Sequence, residues 1–294
     1  MTTRWPWSDV AGDKLFLVGF ISFFTVPLVV YIGLTLTGVL KLPPVKQGGA
    51  GRRLLGPLLI GYYYWMLGPV VRAMSRTGIR PNQITVASLV VAAFTGAAIA
   101  TGHFAVGAAL LIAGATLDIV DGQLARAKRM TTASGAFLDS TLDRLCDGFI
   151  FGGCVIYYAG SPMMVVSLMV LILSFTVSYA RSRAEALGVV GAEGLMQRAD
   201  RITVLSIALA FSPFFGHRAE GFVPHPFYAV TAGALCLLAV LNAITAVTRI
   251  TWTMRALGEG ARLNLVRPRL EGPARVDVVR PAGEGGPLLN QRAR

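Results

Sequence analysis

Between Asp118 and Asp143 the sequence reads D-I-V-D-G-Q-L-A-R-A-K-R-M-T-T-A-S-G-A-F-L-D-S-T-L-D, four aspartates flanked by long apolar runs. Ionisable side chains are costly in hydrocarbon, so those retained there mark functional sites. Asp118 and Asp121 are three apart and share a helical face, with Gly122, Ala125 and Arg126 following at spacings of 4, 7 and 8 from Asp118. Gly135, Asp139 and Asp143 are each four apart and form a second single-face row. The polar run K-R-M-T-T-A-S between the rows reads as a turn at the membrane surface. Asp121 and Asp139 are equidistant from residue 130, so an antiparallel helix hairpin brings Asp121 level with Asp139 and Asp118 level with Asp143. At about 1.5 Å rise per residue, the acids within a row lie about 5–6 Å apart along the axis.

Four converging carboxylates oppose each other's ionisation unless cations neutralise them. Hard oxygen ligands select Mg²⁺, Mn²⁺ or Ca²⁺ over softer metals. Gly122 and Gly135 leave room for a bulky group to approach the helices, and Arg126 offers a fixed cationic fork suited to phosphate. Metal, carboxylate and phosphate-binding arginine together point to phosphoryl chemistry at the membrane face. Asp147 continues the second row by one more turn and is read as a helix-face partner of Arg144, outside the site.

The elements that must position these groups are membrane helices. The 294-residue chain is 54% hydrophobic and only 14% charged, which excludes an ordinary soluble domain. Apolar runs occupy roughly 16–40, 83–101, 104–125, 136–158, 163–180, 202–215 and 227–248, most of them long enough to cross a bilayer. The first is too long for a cleaved signal peptide, and no A-x-A-like site follows it. The net charge of +12 is distributed as a topology signal, not as a nucleic-acid-binding patch. Arg72, Arg76 and Arg80, then Arg126, Lys128 and Arg129, then Arg181, Arg183, Arg198 and Arg201, and finally Arg249 and Arg255 mark one side. The connections at 101–104 and 159–162 carry no Lys or Arg, and 213–226 carries only Arg218. That alternation puts the basic side, and the aspartates with it, in the cytoplasm.

The expected organisation is all-α and polytopic. Residues 1–51 form an N-terminal transmembrane helix and linker, 52–80 an amphipathic interfacial helix rich in Tyr and Trp, 81–256 a six-helix transmembrane core, and 257–294 a largely disordered Arg/Gly/Pro-rich cytoplasmic tail. Cys146, Cys154 and Cys236 fall in apolar runs without metal-ligand spacing and read as buried small hydrophobes with no disulfide.

The stretch resembles the signature of the CDP-alcohol phosphotransferases, with Asp118, Asp121, Gly122, Ala125, Arg126, Gly135, Asp139 and Asp143 on its eight fixed positions. The resemblance covers roughly residues 70–256. It implies a six-helix fold with a cytoplasm-facing cavity, two Mg²⁺ or Mn²⁺ ions, a homodimer in a prokaryotic cell membrane, and transfer from a CDP-linked donor to an alcohol with release of CMP. Carried over residue by residue, Asp118, Asp121 and Asp139 bind metal. Asp143 borders the metal site and is the general base. Gly122, Arg126 and Thr132 contact the CDP group, with Ala125 and Gly135 beside them. The run R-P-N-Q-I-T is similar to the opening of the family's first core helix and adds Asn82 and Thr85 as donor contacts.

The acceptor is read from the arginines. Arg181 and Arg183 end the fifth run, Arg198 and Arg201 lie in Q-R-A-D-R, and Arg249 sits in the last apolar run. Several arginines in one pocket suit an anionic acceptor, a phosphorylated polyol. These segments resemble the phosphatidylinositol-phosphate synthase branch, which implies CDP-diacylglycerol as donor and inositol phosphate as acceptor, with Arg181, Arg198 and Arg249 on the acceptor phosphate. Arg183 with Glu185, and Arg201 with Asp200, read as surface charges, although Arg201 could exchange roles with Arg198. Q-R-A-D-R departs from the branch's E-R-P-E-R, which keeps glycerol 3-phosphate open as the alternative acceptor. An ion-coupled transporter would show repeated halves and midplane acids, and neither is apparent here.

Overall fold

The structure, a computed structural model, describes residues 10–38, 56–189, 194–215 and 228–266. Among these are eight helices: α1 (Val10–Leu36), α2 (Gly56–Ser75), α3 (Pro81–Ala100), α4 (Phe104–Ala127), α5 (Ala133–Tyr157), α6 (Pro162–Ala186), α7 (Arg198–Phe215) and α8 (Ala229–Val266). The chain divides into two units, Met1–Thr253 and Met254–Arg294. In the second, the described part is helical, ending at Val266; the rest of the expected tail lies outside the described residues.

Helices α3, α4, α6 and α8 (to Gly258) are long and apolar enough to cross a membrane, and the chain is a multi-pass membrane protein. The expected spans at 136–158 and 202–215 are helical, as α5 and α7, but carry more charge. Asp139, Asp143, Arg144 and Asp147 lie between the start of α5 and just past its middle, and Arg198, Asp200 and Arg201 occupy the first turn of α7. The expected N-terminal span is helical too, as α1, and among its described residues Thr25–Leu36 is a shorter apolar helical stretch.

Helix α3 is the centrepiece. It packs extensively on both α4 and α5, while α4 and α5 are not themselves a close-packed pair. The expected hairpin is therefore wedged open by α3, and the acids reach across the opening. Close approach of α3 to α5 depends on two glycines. A Cβ on Gly96 would overlap the Phe149 carbonyl, and one on Gly153 would overlap the Gly96 carbonyl. Helices α7 and α6 then flank α4 and α5 respectively.

The main core joins Ile99, Phe104, Leu111, Ile150, Phe151, Val170, Leu205, Leu209, Leu235 and Leu238. A smaller cluster of Leu67 and Val71 from α2, Ile84 from α3, and Val120 and Leu124 from α4 seats α2 beside the acid-bearing end of α4. Val90, Phe94, Ile156, Val165, Val240 and Val247 are exposed, as expected of helices whose outer solvent is lipid. Inside the bundle, polar side chains pair with each other. Ser212 Oγ and Thr231 Oγ1 are 2.6 Å apart, and Asn242 Nδ2 donates to Ser174 Oγ at 3.4 Å. Cys146 and Cys154 are buried as expected, but Cys236 is exposed, because its face of α8 is an outer one.

Candidate active site

Pro81 opens α3 at a position where the missing N–H costs nothing, and Gln83 Oε1 accepts from the Arg80 N–H at 2.8 Å. Thr132 caps α5, its Oγ1 accepting from the Gly135 N–H at 3.0 Å. Helix α5 thus starts within the polar run. Lys128 Nζ, just past α4, donates to the carbonyls of Thr77 (2.8 Å) and Ile79 (2.7 Å) and ties that turn to the segment entering α3. The open ends of α3, α4 and α5 are held together where the aspartates stand.

Asp118, Asp121 and Asp139 each bring a carboxylate oxygen within 4.8 Å of the others. Asp121 is 5% exposed, and its Oδ2 is buried with no hydrogen-bond partner among the described residues. An orphaned carboxylate oxygen facing two further carboxylates has the chemistry of a hard divalent-cation site. Thr85 is buried beside Asp121. Asp143 stands next to Asp118, and Arg198 Nη1 bridges them, 2.6 Å from Asp143 Oδ1 and 3.0 Å from Asp118 Oδ2.

Two groups of predicted donor contacts flank the acids. The Arg126 guanidinium lies over Gly122, with Nη1 3.5 Å from where a Cβ would stand. A Cβ on Gly135 would lie 3.1 Å from Thr132 Oγ1 and 3.5 Å from Asn82 Oδ1, so residues far apart in sequence share one corner. Ala125 contributes its carbonyl to the turn, accepting from the Met130 N–H at 2.8 Å.

The arginines separate into buried and exposed. Arg249 is 4% exposed; its Nη1 donates to the Val177 carbonyl at 2.9 Å, and its buried Nε has no partner among the described residues. Gly194 packs against it, since a Cβ there would stand 2.9 Å from Nε. Arg181 is exposed and pairs with Glu185 at 2.8 Å, yet it is a charged neighbour of Arg249, as is Arg201.

Three expected pairings are overturned. Glu185 takes Arg181, at i,i+4, in place of Arg183. Arg201 is not a surface partner of Asp200: it is 1% exposed and donates Nη2 to Asp147 Oδ2 at 3.1 Å, while Asp200 accepts from the Gln197 N–H at 3.0 Å. Asp147 is not Arg144's partner. It is 2% exposed and accepts from both Arg198 Nε (3.3 Å) and Arg201, whereas Arg144 donates to Ser182 Oγ at 2.8 Å. The signal for Asp147 was its place in the i,i+4 row. A carboxylate in step with Asp139 and Asp143 faces where they face.

A family model described as CDP-alcohol phosphatidyltransferase matches residues 79–247. The chain is 36% identical over 194 residues to archaetidylinositol phosphate synthase of Methanothermobacter thermautotrophicus, covering 64% of this chain and 93% of that protein. The crystal structure of Mycobacterium tuberculosis phosphatidylinositol phosphate synthase with CDP-DAG bound superposes with a TM-score of 0.57 at 27% identity, over 64% of this chain and 94% of that one. The same enzyme in complex with manganese and citrate gives a TM-score of 0.56 at 28% identity, over 63% and 88%.

Proposed function

This chain belongs to the CDP-alcohol phosphatidyltransferase family, and we propose that it transfers a phosphatidyl group from CDP-diacylglycerol to inositol phosphate, releasing CMP. The observation that carries this reading is Arg198, which pairs with Asp118 of the acid cluster and shares Asp147 with the buried Arg201; Arg201 and Arg249 keep buried N–H groups without hydrogen-bond partners among the described residues. The acids suit metal-assisted phosphoryl transfer, and the arginines suit an acceptor that is itself a phosphate. The similar proteins agree on the inositol phosphate part of their names and differ in the lipid.

Asp118, Asp121 and Asp139 are the residues that would hold Mg²⁺ or Mn²⁺, as two ions, with Asp143 at the border. Held there, such cations would supply neutralisation of the donor's pyrophosphate and polarisation of the phosphorus to be attacked. Arg126 lays its fork on the donor phosphate over Gly122. Asn82, Thr85, Thr132 and Gly135 line the rest of the CDP site. Arg198, Arg201 and Arg249, with Arg181 at the mouth, hold the acceptor phosphate and aim its hydroxyl. Asp143 takes the hydroxyl proton as the acceptor oxygen bonds to the phosphatidyl phosphorus and the phosphorus–oxygen bond to CMP breaks. The wedge of α3 between α4 and α5 supports a cavity open toward the cytoplasmic face, where both soluble groups arrive, while the donor's acyl chains stay in lipid.

The test is CMP release by the purified protein with CDP-diacylglycerol and Mg²⁺ or Mn²⁺, offered inositol 1-phosphate, glycerol 3-phosphate, inositol or serine. Release with inositol phosphate alone is the expected result. Release with glycerol 3-phosphate alone keeps the chemistry and replaces the acceptor.

A further inference from the structure

We propose that Asp147 is a positioning residue that fixes the guanidinium forks of Arg198 and Arg201 for a phosphomonoester acceptor. The inference rests on the reading that these arginines bind the acceptor phosphate. Asp147 lies one turn beyond Asp143, on the same face of α5 but deeper in the bundle, and its side chain is 2% exposed. A carboxylate buried so deeply persists only with cationic partners. It divides its two oxygens between two arginines: Oδ1 accepts from Arg198 Nε at 3.3 Å and Oδ2 from Arg201 Nη2 at 3.1 Å.

The choice of atoms matters. Holding Arg198 at Nε fixes the plane of its guanidinium and leaves the Nη end facing Asp118 and Asp143, where Nη1 is found. Holding Arg201 at Nη2 leaves its Nε and Nη1 buried without hydrogen-bond partners among the described residues. Two arginines three apart on α7 share a face and repel each other. Asp147 keeps them side by side and stops Arg198 from being drawn wholly onto Asp118 and Asp143, the other carboxylates it touches. What remains is a pre-oriented set of donors, matched to an anion with several acceptor oxygens.

The experiment is steady-state kinetics of Asp147→Asn in the full chain, with acceptor and donor varied separately and thermal unfolding measured alongside. The expected result is a KM for the phosphorylated acceptor raised about 10- to 100-fold, the range for losing a group that orients a ligand-binding side chain. The KM for CDP-diacylglycerol stays within about twofold, since uniform binding of the donor is untouched. Asp147→Glu keeps the charge that neutralises Arg201 and shifts the carboxylate by one methylene. It carries the test if the Asn variant does not fold, and the same but smaller rise is expected. A folded variant of either kind with wild-type acceptor KM, or with both KM values moved equally, overturns the proposal and leaves Asp147 a packing residue. If wild type uses glycerol 3-phosphate in place of inositol phosphate, the acceptor reading fails while this test proceeds with that phosphomonoester. If only an uncharged alcohol serves, both fall.

Discussion

Arg198 Nη1 lies 2.6 Å from Asp143 Oδ1, although the two residues sit on different helices and 55 positions apart in the chain. The general base of the proposed reaction is thus in direct contact with a residue of the proposed acceptor pocket, so a phosphate held by Arg198 carries its own hydroxyl toward Asp143. Asp143→Asn keeps the shape and removes the proton acceptor. The expected outcome is a fall in kcat of about 10²–10⁴-fold, the usual contribution of a positioned base. Single-turnover CMP release checks it, and a kcat within a few-fold of wild type would remove Asp143 from the role.

The orphaned Oδ2 of Asp121 and its two carboxylate neighbours predict an absolute need for a divalent cation. Chelation should abolish CMP release, and Mg²⁺ or Mn²⁺ should restore it. Asp121→Asn should shift the metal dependence to higher concentration, because one charged ligand is lost from three. Metal titration of activity separates this from general damage. A variant inactive at every metal concentration but folded would show that Asp121 does more than bind the ion.

Arg249 and Arg181 are predicted to behave differently despite their common charge. Arg249 is buried against Gly194 and Val177, whereas Arg181 is exposed and already paired with Glu185. Arg249→Lys loses the planar fork while keeping the charge, and should raise the acceptor KM about tenfold or more. Arg181→Gln, at an exposed ion pair, should change stability by at most about 1 kcal/mol and raise the acceptor KM less than Arg249→Lys does. Equal effects would mean that the pocket reads charge alone.

What the sequence could disclose was bounded by its own periodicity. The rows Asp118–Asp121 and Gly135–Asp139–Asp143 were legible because spacing along one helix determines which residues share a face. The turn between them was legible because it is polar and short. Asp147's partners were not, since Arg198 and Arg201 lie more than 50 residues away and no local pattern says which helix meets a given face. Proximity in sequence points to Arg144, and the fold supplies Arg198 and Arg201 in its place. Glu185 pairs with Arg181 at i,i+4 and not with the nearer Arg183, as helical spacing favours. The insertion of α3 between α4 and α5 had no signal at all in the acid-bearing stretch. Its determinants are Gly96 and Gly153, which in sequence are two glycines among many.

Those two glycines give the last prediction. The groups a Cβ would meet at Gly96 and Gly153 are backbone carbonyl atoms of the facing helix, which cannot rotate away as a side-chain tip can. Gly96→Ala must therefore push α3 from α5 or twist one against the other, an overpacking cost of about 1–3 kcal/mol. Because α3 carries Asn82 and Thr85 while α5 carries Thr132's cap, Gly135 and Asp139, the displacement is passed along both helices to the donor site. The expected outcome is a lowered unfolding temperature in detergent together with a raised KM for CDP-diacylglycerol. Gly152→Ala is the control: it is next in sequence to Gly153, but nothing lies within 4 Å of its added Cβ. It should be neutral or slightly stabilising, since alanine is the better helix former. If Gly96→Ala and Gly152→Ala behave alike, close contact of α3 and α5 does not set the geometry of the donor site.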